Sequence, residues 1–330
     1  MACLLMYFLV TVGVIVVAAV AHRRRKIRHE IRLCFGRLEL VGFKSDKKLH
    51  LFEVSQPLSL SPTHKPFKNG VVLIGGFGDN PAMWSPLASH LSQEGWYYLA
   101  PRTPGWGRTD FDEANRTTWV EWVVACRDAL VAVQNLCDRV TVLGHSTGAL
   151  MAAYVAETCS VDRLIFSGPN FLSNPNDEWA KRLLVRPVIG PLVAKYLGLV
   201  VKKKREGRPI DSLNVAAYEG AFYLTCFPVA ALRQMWLLQD QLSRPWKVKE
   251  EVIMLMGDHD QSVAPLPRQV PVIRKFVPSG VNFCSCRVAN AAHGLPTETQ
   301  PIVDILAGVV MEQKGVLEKL QRVGSVENGH

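Results

Sequence analysis

The sequence predicts an α/β fold, a mostly parallel central sheet flanked by helices, with a helical insertion above one edge and an apolar helix at the N-terminus. Three observations carry that prediction. Short continuous apolar runs such as residues 71–75, VVLIG, recur between helical stretches, the pattern of strands buried on both faces. The strand-helix alternation stops at about residue 169 and resumes at about 248. Residues 3–21, CLLMYFLVTVGVIVVAAVA, carry no charge and approach the roughly 20 apolar residues that cross a bilayer as a helix. A chain of 330 residues with 48% hydrophobic content can bury one large core, and one body with an insertion is expected.

In chain order, residues 1–22 are expected to form a transmembrane anchor. A cleaved signal peptide is the rival, since Ala19-Val20-Ala21 fits a cleavage site, but no Lys or Arg precedes the apolar run. Arg23-Arg24-Arg25-Lys26-Ile27-Arg28 opens a basic linker over 23–36. That charge favours the cytosolic side and anionic headgroups, so a single-pass membrane protein with a cytosolic domain is expected, with the bilayer as a partner. The main domain spans 37–322 and a tail 323–330. Residues 37–41 and 49–54 read as a strand pair bordering the sheet. Strands follow at 71–75, 96–100, 140–143, 164–167, 252–256 and near 281–288. Helical patterns cover 81–94, 118–136, 149–157 and 302–321, and the insertion at about 169–248 is helical, with prolines at 175, 187, 191 and 209.

Lys plus Arg number 38 against 29 Asp plus Glu, a net charge of +9. The excess gathers at 23–28 and at Lys202-Lys203-Lys204-Arg205, without aromatic residues spaced to stack bases, so no nucleic-acid partner is expected. Eight cysteines show no zinc-like spacing and sit mostly in apolar segments, where buried free thiols are expected and no metal.

The chemistry concentrates in Gly144-His145-Ser146-Thr147-Gly148, between an apolar strand and a helix. Gly-x-Ser-x-Gly at such a junction is a sharp turn that lifts the serine out of the core above a helix N-terminus. Free N–H groups and the positive dipole end there favour a developing oxyanion, with the Thr147 N–H as one donor. A neutral hydroxyl needs a base, and the base an orienting acid. Of nine histidines, His293 lies in the loop after the last strand, at the sheet edge that Ser146 should share. The acid belongs to Gly257-Asp258-His259-Asp260; both aspartates are available there, and Asp260 is favoured. A second oxyanion donor is expected from the loop after the 71–75 strand, at the Phe77 N–H of Gly75-Gly76-Phe77-Gly78-Asp79.

Taken together, the stretches VVLIGGFGDNPAMWSPLASHL, APRTPGWGRTD, VTVLGHSTGALMAAYVA, MLMGDHDQSV and AAHG resemble the α/β-hydrolase superfamily, in its order, over about residues 70–315. The chain is most similar in pattern to carboxylesterases and monoacylglycerol lipases. The resemblance implies the α/β-hydrolase fold and places the acid at Asp260, in a Gly-x-x-Asp-x-x-Val pattern with Gly257 and Val263. Two positions depart from the common pattern: Gly75-Gly76 stands for His-Gly, and PGWG for Gly-His-Gly, making Trp106 a candidate pocket wall. Phe222 and Trp236 of the insertion are further pocket candidates. The implied activity is cleavage of a carboxylic ester with no cofactor; the expected anchor, together with an insertion that carries Trp179, Leu183, Tyr223 and Trp236 beside a basic run, favours a monoacylglycerol, a lysophospholipid or a similar lipid as substrate. A thioesterase or acyltransferase with the same three side chains, or an anchored binding protein, is the alternative.

Overall fold

The computed structural model describes residues 18–19, 21–23, 25–33, 45–46, 51–52, 56–60, 67–201, 211–214 and 224–322. An eight-stranded sheet organises them. Its strands are β3 (Leu58–Ser59), β4 (Phe67–Ile74), β5 (Tyr97–Ala100), β6 (Cys137–His145), β7 (Val161–Ser167), β10 (Val248–Gly257), β11 (Asn282–Val288) and β12 (Gln321–Arg322). The spatial order is β3-β5-β4-β6-β7-β10-β11-β12. The six inner strands are parallel, and the two short edge strands pair antiparallel. Parallel strands need crossovers; the helices that supply them are α1 (Ser85–Gln93), α2 (Trp119–Gln134), α3 (Thr147–Thr158) and α7 (Leu266–Arg274), while α8 (Gln300–Val310) leads from β11 into the antiparallel β12.

Alternation along each strand splits the core into two layers. Val72, Ile74, Val142, Leu164, Phe166, Val252 and Met254 face α2, α3 and α7. Val71, Leu73, Leu143, Ile165, Ile253 and Leu255 face α1 and α8. The α2 start is set by a capping box, with the Glu121 carboxylate accepting from the Thr118 backbone N–H at 2.7 Å. Between β7 and β10 the chain inserts α4 (Glu178–Leu184), α5 (Ile189–Leu197), the antiparallel ribbon of β8 (Leu199–Val201) with β9 (Cys226–Pro228), and α6 (Val229–Gln239).

The expected single-pass anchor is corrected. No helix among the described residues is long and apolar enough to cross a membrane, and most of 3–21 lies outside them. The helical residues that follow are mostly charged, and Arg23 is partly buried against the insertion. Its guanidinium donates to the carbonyls of Tyr196 at 3.1 Å and Leu197 at 2.7 Å, capping the C-terminus of α5. Two further expectations change. Residues 45–46 (β1) and 51–52 (β2) pair with each other in a separate ribbon rather than bordering the main sheet; residues 37–41 lie outside the described set. The terminal helix stops at Val310 because Glu312 and Gly315 take left-handed conformations, with φ of 58° and 78°, and the chain turns back to add β12.

Candidate active site

The carboxyl ends of the inner strands lie level, with Ile74 beside Gly144, His145 beside Ser167 and Gly257 beside Val288. The loops leaving those ends therefore meet over one edge of the sheet, the usual place for a site in an open α/β sheet.

Ser146 sits at the junction of β6 and α3 with φ 52° and ψ −118°. That conformation is unfavourable for a residue with a side chain and is held by its surroundings. The Ser146 N–H donates to Ser167 O at 2.9 Å, and the Ser146 carbonyl accepts from Ala149 N and Asn170 N at 3.1 and 3.2 Å. The flanking glycines answer a packing need. A side chain at Gly144 would stand 2.7 Å from the Ala149 nitrogen, and one at Gly148 would stand 2.5 Å from the Gly75 carbonyl oxygen. Both contacts are with backbone, which cannot swing away.

His293 brings Nε2 to 2.9 Å from Ser146 Oγ and Nδ1 to 2.8 Å from Asp260 Oδ2. The Asp260 side chain is fully buried and the His293 ring is 12% exposed. Burial works against a charge on His293, but the carboxylates of Asp260, Asp211 and Asp79 outweigh it and hold its pKa above the ordinary imidazole value. Asp260 Oδ1 accepts from the Ser262 N–H at 2.9 Å, so the carboxylate is oriented from both sides. Asp258, the other available acid, points elsewhere: it accepts from the backbone N–H groups of Asn290 and Ala291, both at 3.2 Å, and so ties down the loop that carries His293.

Thr147 is the first residue of α3, and among the described residues neither its N–H nor that of Phe77 has an acceptor. The loop of Phe77 is closed by a residue that the sequence reading did not weigh. Asp79 Oδ2 accepts from the Gly76 N–H at 2.8 Å, and a side chain at Gly76 would stand 2.9 Å from Ser146 Cβ. Asp79 thus braces the loop where the common pattern carries a histidine; its place three residues after Gly76 was the available signal. Phe77 packs edge-on against Trp106, centroids 4.8 Å apart, and against Phe227 at 5.1 Å. Trp106 is buried behind it. Trp236 is also buried, with its indole N–H donating to Ser173 Oγ at 3.0 Å. Phe222 lies outside the described residues. No cluster of three or more His, Cys, Asp or Glu able to hold a metal ion occurs among the described residues.

Comparison with known proteins decides the family, since a model of the alpha/beta hydrolase family matches residues 71–307. The chain belongs to the alpha/beta hydrolase family. This hydrolase-family chain is similar to a thermostable monoacylglycerol lipase of Bacillus sp. (strain H-257), at 32% identity over 88 residues, 27% of this chain. The match spans 35% of that relative's length. Among solved structures, the metagenome-derived lipolytic enzymes LipS and LipT are represented by a match with a TM-score of 0.61 at 15% identity, covering 79% of this chain and 98% of that one. A soluble variant of monoglyceride lipase from Saccharomyces cerevisiae, in complex with a substrate analogue, matches with a TM-score of 0.56 at 16% identity, covering 78% and 89%. At such identities these likenesses show the hydrolase fold alone.

Proposed function

We propose that this alpha/beta hydrolase is a serine hydrolase of carboxylic esters, acting on a lipid-like substrate of the monoacylglycerol or lysophospholipid type. The observation that carries the reading is the continuous chain from Ser146 Oγ through His293 to Asp260, at 2.9 and 2.8 Å. In this reading Ser146 Oγ attacks the ester carbonyl while His293 Nε2 takes the hydroxyl proton. Asp260 accepts the Nδ1 proton in a hydrogen bond, fixing the tautomer and offsetting the charge on the imidazolium. The Phe77 and Thr147 N–H groups receive the oxyanion. Collapse expels the alcohol, which takes the proton from His293. Water then repeats the sequence and frees the acid and Ser146.

The lipid-like substrate is supported by the aromatic wall of Phe77, Trp106 and Phe227 beside the oxyanion loop and by the names of the relatives, two of which are monoacylglycerol lipases. The test is a panel of glycerol esters, lysophospholipids and thioesters of graded chain length, assayed with the full chain and with Ser146→Ala. Ester cleavage that disappears in Ser146→Ala is expected. Turnover of thioesters with none of esters would overturn the assignment to carboxylic esters.

A further inference from the structure

Asp211 belongs to the insertion, between β8 and β9, and the reaction above makes no use of it. It is nevertheless 6% exposed, deep for an aspartate. Its Oδ2 accepts from Ser262 Oγ at 2.6 Å and from the Gln261 N–H at 3.2 Å, two residues of the loop that carries Asp260. Its backbone carbonyl accepts from the Gly294 N–H at 2.9 Å, the residue after His293. Oδ1 is buried without a hydrogen-bond partner among the described residues. One residue of the insertion thus touches both loops whose side chains must meet.

The neighbouring residues fasten it in place. The Leu213 N–H donates to both oxygens of Glu298, at 2.9 and 3.1 Å. Glu298 Oε1 also accepts from the Ala292 N–H at 3.1 Å, on the other side of His293. Asn214 Nδ2 donates to the carbonyls of Thr297 and Glu298. Ser262 joins the two aspartates: its N–H serves Asp260 and its hydroxyl serves Asp211. A buried carboxylate has a high cost unless its charge is used or compensated.

We propose that Asp211 is a positioning residue for the reaction: it clasps the acid loop against the base loop and adds a second carboxylate to the hydrogen-bonded network that holds His293 and Asp260 together. The proposal rests on the reading of Ser146, His293 and Asp260 as nucleophile, base and acid. Asp260, from the loop after β10, is hydrogen-bonded to the His293 ring, and the ring of His145 stands beside it with centroids 5.0 Å apart; Asp211 from the insertion and Asp79 from the loop after β4 act on it through their charge. Each of the three carboxylates favours the protonated imidazole. Asp211 is the one of these three that comes from the insertion, so the insertion takes part in setting the chemistry of the sheet edge.

The experiment is the pH dependence of the rate at which a fluorophosphonate inactivates the full chain, measured for the wild type, Asp211→Asn, Asp211→Glu and Ser262→Ala. The amide of Asp211→Asn still accepts from Ser262 and Gln261 but carries no charge. Its acid limb is expected to move to lower pH, with a several-fold slower plateau because a weaker base removes the proton. Asp211→Glu keeps the charge and should bring the limb back toward the wild type. Ser262→Ala removes the hydroxyl partner and leaves the charge, so its limb should not fall below that of the wild type. A limb in Asp211→Asn that overlays the wild type would leave Asp211 a purely structural clasp and overturn the proposal. So would a downward shift in Ser262→Ala, which decides the matter even where Asp211→Asn does not fold. The underlying reading fails differently, through labelling that survives Ser146→Ala.

Discussion

Replacing Asp260 by Asn separates the acid from its rival most sharply. Asp260 Oδ1 is engaged by the Ser262 N–H at 2.9 Å and Oδ2 by His293 Nδ1 at 2.8 Å. In Asp260→Asn the amide oxygen is expected to keep the bond from Ser262, because the amide nitrogen cannot accept it. The NH2 group then faces Nδ1, and two donors cannot share that contact. His293 must place its proton on Nε2, toward Ser146 Oγ, in the tautomer that cannot receive a proton from the nucleophile. In a serine protease the corresponding change lowers turnover by about 10⁴, equivalent to about 5.4 kcal/mol at about 1.36 kcal/mol per decade. Here a loss of about 10³ to 10⁴ in kcat is expected, with little change in melting temperature. Asp258→Asn should cost about tenfold or less, since only loop hydrogen bonds of about 0.5–1.5 kcal/mol each are weakened. Initial rates of ester hydrolysis, with thermal melts on the same preparations, measure both. A larger loss in Asp258→Asn would refute the assignment.

Four further outcomes are expected. Gly148→Ala drives a methyl group into the Gly75 carbonyl and should cost about 1–3 kcal/mol, seen as a lowered melting temperature; an unchanged melt would show that the junction is looser than described. Ser146→Gly should melt above Ser146→Ala, because relief of about 1–3 kcal/mol of backbone strain at φ 52° exceeds the roughly 0.4–1 kcal/mol cost of a freer unfolded chain. Asp79→Ala removes the brace on the Gly76 N–H and should lower kcat more than it raises KM, toward the roughly 10²-fold loss of one oxyanion donor, with an unchanged kcat as the contrary result. The acid limb of kcat/KM should lie above the ordinary imidazole value near pH 6.5, since the raised pKa of His293 keeps the base protonated to higher pH; a limb well below that value would contradict the described carboxylate cluster.

The inner sheet was legible because its strands are buried on both faces and therefore appear as unbroken apolar runs. The order of Ser146, Asp260 and His293 was legible because the first two follow such runs and His293 follows the weaker, partly polar strand near 281–288. What escaped the sequence has physical reasons. The edge strand β3 is two residues long and carries no period. Helix α7 holds Pro267 and Pro271 and follows Pro265, so its composition reads as a loop although it packs Val270 and Ile273 into the core. The terminal helix was drawn too long because an apolar pattern continues past Val310 while the backbone turns at Glu312. An apolar N-terminal run suggested an anchor by composition, whereas the described residues beyond it dock Arg23 on α5. Asp79 and Asp211 stand in segments that look like ordinary turns, and only the loops folded around them give their carboxylates partners.

The most direct measurement is covalent labelling of the full chain with a fluorophosphonate, followed by peptide mass spectrometry. An Oγ–P bond forms as the P–F bond breaks, fluoride leaves, and His293 takes the hydroxyl proton. The account predicts one adduct, on Ser146, that disappears in Ser146→Ala and forms far more slowly in His293→Ala. An adduct on another residue, or unchanged labelling of either variant, would contradict it.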